Sequence, residues 1–168
     1  RGSIVDSVGN VIPSDQLIAD QETFDVSVKN SFDNPGDYIS PPGAIVEFDR
    51  VTGVQNREQS LVLNYANLQP GHNAQAFQTF FTEQNYTLYN DLRMFVYGSE
   101  DLVGDQSPEF FIRFGNSNSD YYEYRTHVQP GWDPQNHLEV VFNDLTALKS
   151  ETELARLEGT FEDTTFSV

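Results

Sequence analysis

Short apolar runs broken by turn residues set the rhythm of this chain. AIVEF (44–48), SLVLNY (60–65), AFQTFF (76–81), LRMFVY (92–97), EFFIRF (109–114), YYEYRTHV (121–128) and HLEVVF (137–142) all read as strands. Gly53, Pro70-Gly71, Gly98, Gly115-Asn116 and Pro130-Gly131 punctuate them. This spacing is what an antiparallel sandwich or jelly roll produces. Upstream, Phe24, Val26 and Val28 alternate with Asp25, Ser27 and Lys29, which predicts one further strand. NSFDNPGDYISPPG follows, and its Asn-Pro-Gly and Pro41-Pro42-Gly43 are turn chemistry that no helix or central strand tolerates.

One helix stands out near the end. Asn143 can cap DLTALKSETELARLEG, with Leu145, Leu148, Leu154 and Leu157 as its apolar residues and Gly159 as a stop. It reads as one helix or as two short ones broken near Ser150. TFEDTTFSV then reads as a last strand. The expected fold is therefore all-β: an antiparallel β-sandwich, jelly-roll or carbohydrate-binding-module-like, with one or two short helices near the C-terminus. Residues 1–40 form an extended N-terminal arm with one strand, and residues 41–168 form the sandwich. The sequence shows no internal repeat. Phe48, Leu61, Leu63, Met94, Val96, Ile112 and Val141 are the expected core.

Composition narrows the function. The 168 residues carry 9 basic and 26 acidic side chains, a formal charge of -17. Such a field repels phosphate backbones and anionic headgroups, so nucleic-acid partners are excluded from the reading. No run approaches the roughly 18 apolar residues of a membrane helix, so direct membrane insertion of this segment is not expected. The acidic surface, with Lys29 and Lys149 as the only lysines, fits either a salt-adapted source or an acidic extracellular domain. There is no cysteine, hence no disulfide framework, thiolate zinc site or cysteine nucleophile. The chain opens RGSIVDS, without Met or a signal-peptide pattern, and reads as a segment of something longer.

Catalytic chemistry finds no pattern to rest on. His72, His127 and His137 lack HExxH or other metal spacing and read as unrelated surface histidines. No GxSxG elbow, phosphate loop or GxGxxG fingerprint occurs. With 26 acids, any single carboxylate pair is uninformative about glycoside hydrolysis. The expectation is a protein that is not an enzyme and has no cofactor. A structural calcium ion would find its densest acids at Glu100, Asp101 and Asp105, though no EF-hand pattern supports it.

The stretch Glu109–Trp132 concentrates aromatic residues. Phe110, Ile112 and Phe114 share a face of one strand, and Tyr122, Tyr124 and Thr126 share a face of the next, with Tyr121 and Glu123 opposite. The Phe-rich strand reads as core. The Tyr-rich strand suits a wet boundary, because Tyr joins an apolar body to a polar tip. Tyr121, Tyr122, Tyr124 and Trp132 are thus the candidate ligand-binding residues, rings that could stack on sugars. The competing reading has the same rings pinning two sheets together.

These stretches also carry a resemblance. SPPGAIVEFDRVTG, REQSLVLNYANLQPG, YNDLRMFVYG and EFFIRFGNSNSDYYEYRTHV are similar, in that order, to segments of the SprA family. Those are very large outer-membrane translocon proteins of type IX secretion and gliding motility. Arg57 stands where the family commonly has Asn, Arg93 replaces a lysine, and Tyr97 replaces a histidine. The resemblance spans roughly residues 40–150 and leaves Trp132 unplaced. It implies a non-catalytic structural or partner-binding sandwich domain, outside the cytoplasm at the cell surface or in the periplasm. Its partners would be other domains of the same large protein or other secretion and surface proteins. Two alternatives stand beside it: a carbohydrate-binding module of an exported enzyme or adhesin, with glycans as partners, and a subunit of a surface layer or filament.

Overall fold

The computed structural model describes residues 1–158 other than Val46, Glu83, Thr87, 103–107 and 118–119. The expected last strand and the Gly159 stop lie outside the described residues, as does Asp105. The chain forms two compact units, residues 1–83 and 84–168.

The first unit holds β1 (Gly2–Val5), α1 (Ser14–Asp20), β2 (Thr23–Asn30), β3 (Gln59–Ala66) and β4 (Asn73–Ala76). β2 and β3 pair antiparallel with Phe24 opposite Tyr65, Val26 opposite Leu63 and Val28 opposite Leu61. Side chains alternate across a strand, so these six apolar residues share one face of the ribbon. β1 pairs antiparallel with β4, setting Gly2 opposite Ala76 and Ile4 opposite Ala74. β1 lies against the apolar face of β2 at a glycine. A Cβ on Gly2 would sit 2.8 Å from both a Phe24 ring carbon and a Val26 methyl. The residues expected as an arm with one strand therefore supply two strands and a short helix.

The second unit holds β5 (Asp91–Met94), β6 (Glu109–Ser117), β7 (Asp120–His127), the 3-10 turn Pro134–Asn136, β8 (Leu138–Val141) and α2 (Phe142–Glu158). β5 pairs antiparallel with β8, with Leu92 opposite Val140. Between them in sequence, β6 and β7 form a hairpin, Ile112 opposite Tyr124, with a register shift between Gly115 and Ser117. Each unit thus nests a long inner pair, β2–β3 or β6–β7, inside a short outer pair, β1–β4 or β5–β8. The repetition lies in the topology, and the sequence shows no trace of it.

Among the described residues the structure is mostly antiparallel strands with few helices, as expected, in four small, unclosed two-stranded sheets. Among the described residues, two expected strands do not form. AIVEF contributes only a bridge from Phe48 to Gln55, because the Asp49 carboxylate ties the next residues into a turn by accepting from the Val51 and Thr52 amides. AFQTFF gives up only Ala76 to β4, and Phe77, Phe80 and Phe81 are exposed. LRMFVY shortens to β5 and a bridge from Gly98 to Gly131. Phe142, expected to end a strand, begins α2, which continues past Ser150 as one helix and leaves Leu154 and Leu157 exposed.

The core is also placed differently from the expectation. Ile4, Val5 and Ile12 are buried in the first unit, and Val128, Leu138 and Val140 in the second. Phe48, Leu61 and Val141 are exposed, while Leu63, Met94, Val96 and Ile112 are half-buried. On β8 the covered face is that of Leu138 and Val140, and alternation turns Val141 outward. Leu61 is exposed at the end of the ribbon remote from Gly2, and Phe48 stands in the Asp49 turn.

A buried acid closes the first unit. The Glu22 side chain is fully buried, and both its oxygens lie 2.9 Å from His72 Nδ1. The Gln69 amide donates to Glu22 Oε1 at 2.8 Å, and Asn67 Nδ2 donates to the Gln21 carbonyl at 3.0 Å. Burial pushes the Glu22 carboxyl up, but the Gln69 amide and His72 outweigh it and hold the group below its ordinary 4.5. A depressed carboxylate contributes stability that is fully present above its ordinary value and is lost as pH falls through the folded one. Urea unfolding at pH 7 and at about pH 3 should therefore show the first unit weakened by acid, and Glu22→Gln should flatten that dependence while lowering stability at pH 7. An unchanged pH profile in Glu22→Gln would remove this role.

Candidate functional site

The β6–β7 hairpin has two chemically distinct faces. On one, Glu109, Phe111 and Arg113 of β6 lie across from His127, Arg125 and Glu123 of β7. Glu123 accepts from both Arg113 and Arg125, and Arg125 also donates to Glu109 at 2.7 Å. The Arg113 guanidinium stacks 4.8 Å from the Phe111 ring and 4.6 Å from the Tyr121 ring. Burial pushes the Glu123 carboxyl up, and hydrogen bonds from Arg125 and Arg113 prevail and hold it below the usual carboxylate range. The bond to Glu123 holds Arg125 above its ordinary value. Both cations are thus paired within the hairpin, which makes this a self-neutralised surface.

The other face is the apolar set Phe110, Ile112, Phe114, Tyr122, Tyr124 and Thr126. Tyr122 packs on Phe114, 5.7 Å between ring centroids. Phe114 meets Phe142 at 6.4 Å, and Phe142 meets Tyr86 at 6.0 Å. The hairpin therefore divides the tyrosines: Tyr122 and Tyr124 face the aromatic packing, and Tyr121 lies on the charged side against Arg113.

Trp132 belongs to a separate cluster. Its ring meets Tyr97 at 5.0 Å and Phe95 at 6.4 Å, both edge-on, and Phe95 in turn meets the His137 ring at 4.6 Å. Tyr97 donates its hydroxyl to Glu100 at 2.7 Å, and that bond with the carboxylate charge raises the phenol above its ordinary value. The position of Trp132 is set by its loop. Gly98 and Gly131 exchange backbone hydrogen bonds at 3.1 and 2.8 Å. Gly98 is required there, since a Cβ would come within 2.1 Å of the Gln129 carbonyl oxygen. The Trp132 Nε1 and His137 Nε2 atoms are buried without a hydrogen-bond partner among the described residues.

The four expected ligand-binding residues therefore fall in three environments. Sequence reasoning missed Phe95, Tyr97 and Glu100 as neighbours of Trp132, and the LRMFVYG run beside Glu100 was the available signal. It also took His72 for a surface residue, whereas His72 holds a buried carboxylate. Among the described residues, no group of three or more His, Cys, Asp or Glu could hold a metal ion, and no helix is long and apolar enough to cross a membrane.

The family model SprA_N, described as a motility related/secretion protein, matches residues 12–158. No curated protein and no solved structure matches the chain.

Proposed function

Because this chain belongs to the SprA_N family of motility-related secretion proteins, we propose that it is a non-catalytic, partner-binding domain of a large outer-membrane secretion translocon. In this reading the chain is a β-sandwich or jelly-roll module outside the cytoplasm, and it needs no cofactor. The family match over residues 12–158 carries the proposal. The antiparallel, β-rich architecture supports it, and so does an acidic surface that would keep such a module soluble. The surrounding reading frame tests it. Outer-membrane barrel strands in the same polypeptide are expected, and a frame encoding a catalytic domain with no barrel would overturn the translocon role.

A glycan-binding surface is a second reading, favoured by the Phe95–Tyr97–Trp132 cluster. Its rings adjoin Glu100, and the indole N–H lacks an acceptor among the described residues. The single Trp reports on both readings. With the ring half-buried between Phe95 and Tyr97, its emission should be blue-shifted and should not move when soluble polysaccharides are titrated, with or without calcium. A saturable shift would transfer the assignment to glycan binding at Trp132.

A further inference from the structure

We propose that β3 pairs antiparallel with β3 of a second copy of this chain across a two-fold axis, joining two β2–β3 ribbons into one four-stranded sheet. This goes beyond the translocon reading and does not depend on it.

The first observation is an open edge. β3 is bonded to β2 on one side only, and among the described residues its other edge has no backbone partner. Proteins usually blunt such edges with lysines, other charges, prolines or bulges. β3, QSLVLNYA, contains none of these and keeps an unbroken register.

The second observation is charge. From Gln59 to Thr82 the chain has no Asp, Glu, Lys or Arg, although its formal charge is -17. The corresponding inner pair of the second unit provides the contrast: β7 carries Asp120, Glu123 and Arg125, and β6 carries Glu109, Arg113 and a register shift. In a two-fold antiparallel pairing, residues meet themselves or their symmetry mates, so a strand bearing one sign of charge sets like charges against each other. A neutral strand is the form that self-pairing requires. Elsewhere the acidic surface of one copy repels that of the next.

The third observation is what the pairing would cover. Leu61 is 62% exposed, its cross-strand neighbour Val28 is 51% exposed, and Tyr65 is exposed on the same face. A two-fold axis perpendicular to the sheet keeps both apolar faces on one side. The register centred on Leu63 then sets Leu61 against Tyr65 of the second copy. It also extends a two-stranded ribbon, which is marginal alone, into a four-stranded sheet.

Sedimentation equilibrium of the 168-residue chain from about 5 to 500 µM, at about 0.05 and 0.5 M NaCl, tests this. Dimer should form with rising concentration and be favoured at the higher salt, where the acidic repulsion is screened. Leu61→Glu and Tyr65→Lys should each weaken association at least about tenfold, and mixing the two should restore much of it, because opposite charges then meet across the axis. Circular dichroism of each variant checks that it is folded. Since the chain has no cysteine, Leu63→Cys offers a second route: air oxidation should yield a disulfide-linked dimer without denaturation. The proposal is overturned by a wild-type chain that stays monomeric throughout, including one that binds only a different strand, or by Leu61→Glu and Tyr65→Lys dimerising as wild type does.

Discussion

Leu138→Ala should lower the unfolding free energy of the second unit by about 2–5 kcal/mol. Leu138 is 2% exposed and lies on β8 opposite Met94, on the same covered face as Val140. Truncation removes its transfer free energy and leaves a cavity, and a close-packed interior closes such a cavity only in part. Urea unfolding followed by Trp132 fluorescence reports on this unit. Leu138→Met, which nearly conserves volume, should lose less than about 1.5 kcal/mol. If the alanine variant lost no more than that, Leu138 would not be the centre of this core. The contrast with Val141→Ala is informative, because Val141 is exposed and its loss should be within about 0.5 kcal/mol, as for ordinary surface positions.

Asn136→Ala should destabilise the same unit by about 3 kcal/mol. Asn136 is fully buried. Its side-chain oxygen accepts from the Gln129 amide at 2.7 Å, and its Nδ2 donates to the Gln129 and Gly131 carbonyls at 2.8 and 3.1 Å. One amide group thus satisfies three backbone groups of the loop that carries Trp132. Alanine would strand the Gln129 amide and carbonyl, while the Gly131 carbonyl keeps its bond from the Gly98 amide, and each buried unsatisfied group typically loses about 1–3 kcal/mol, less where water can enter. Asn136→Asp should fare no better: it keeps an acceptor for Gln129 but turns negative charge on two carbonyls. Beyond stability, both variants should red-shift native Trp132 emission, because the loop geometry that seats the ring is lost. A destabilised variant with unchanged emission would separate Asn136 from the placement of Trp132.

Those two residues mark the limits of what the sequence discloses. HLEVVF announces a strand but not which of its faces is covered. One step of register exchanges Val141 for Val140, and nothing in six residues selects between them. Asn136 offered less still, since a polar residue between Gln135 and His137 reads as loop until the backbone folds around its amide. Glu22 and His72 are likewise ordinary in sequence and become a buried pair only because two turns meet there. In the hairpin, the alternation that put Tyr122 and Tyr124 on one face and Tyr121 on the other was legible from the sequence. What Tyr121 would meet there, a guanidinium stacked between two rings, was not.

By itself the sequence determined what short-range rules can determine: an antiparallel β chain, the positions of β2, β3, β6 and β7, a helix after residue 142, a formal charge of -17, and a likeness to a secretion family that the family match now shows. Period, turn chemistry and composition act over a few residues at a time and leave their mark in the string. The tertiary structure alone decided that β1 closes on β4 and β5 on β8, that one nested plan occurs twice, and that the Trp132 ring packs on Phe95 and Tyr97. These are pairings between segments far apart in the chain, and they depend on which apolar faces can be covered together.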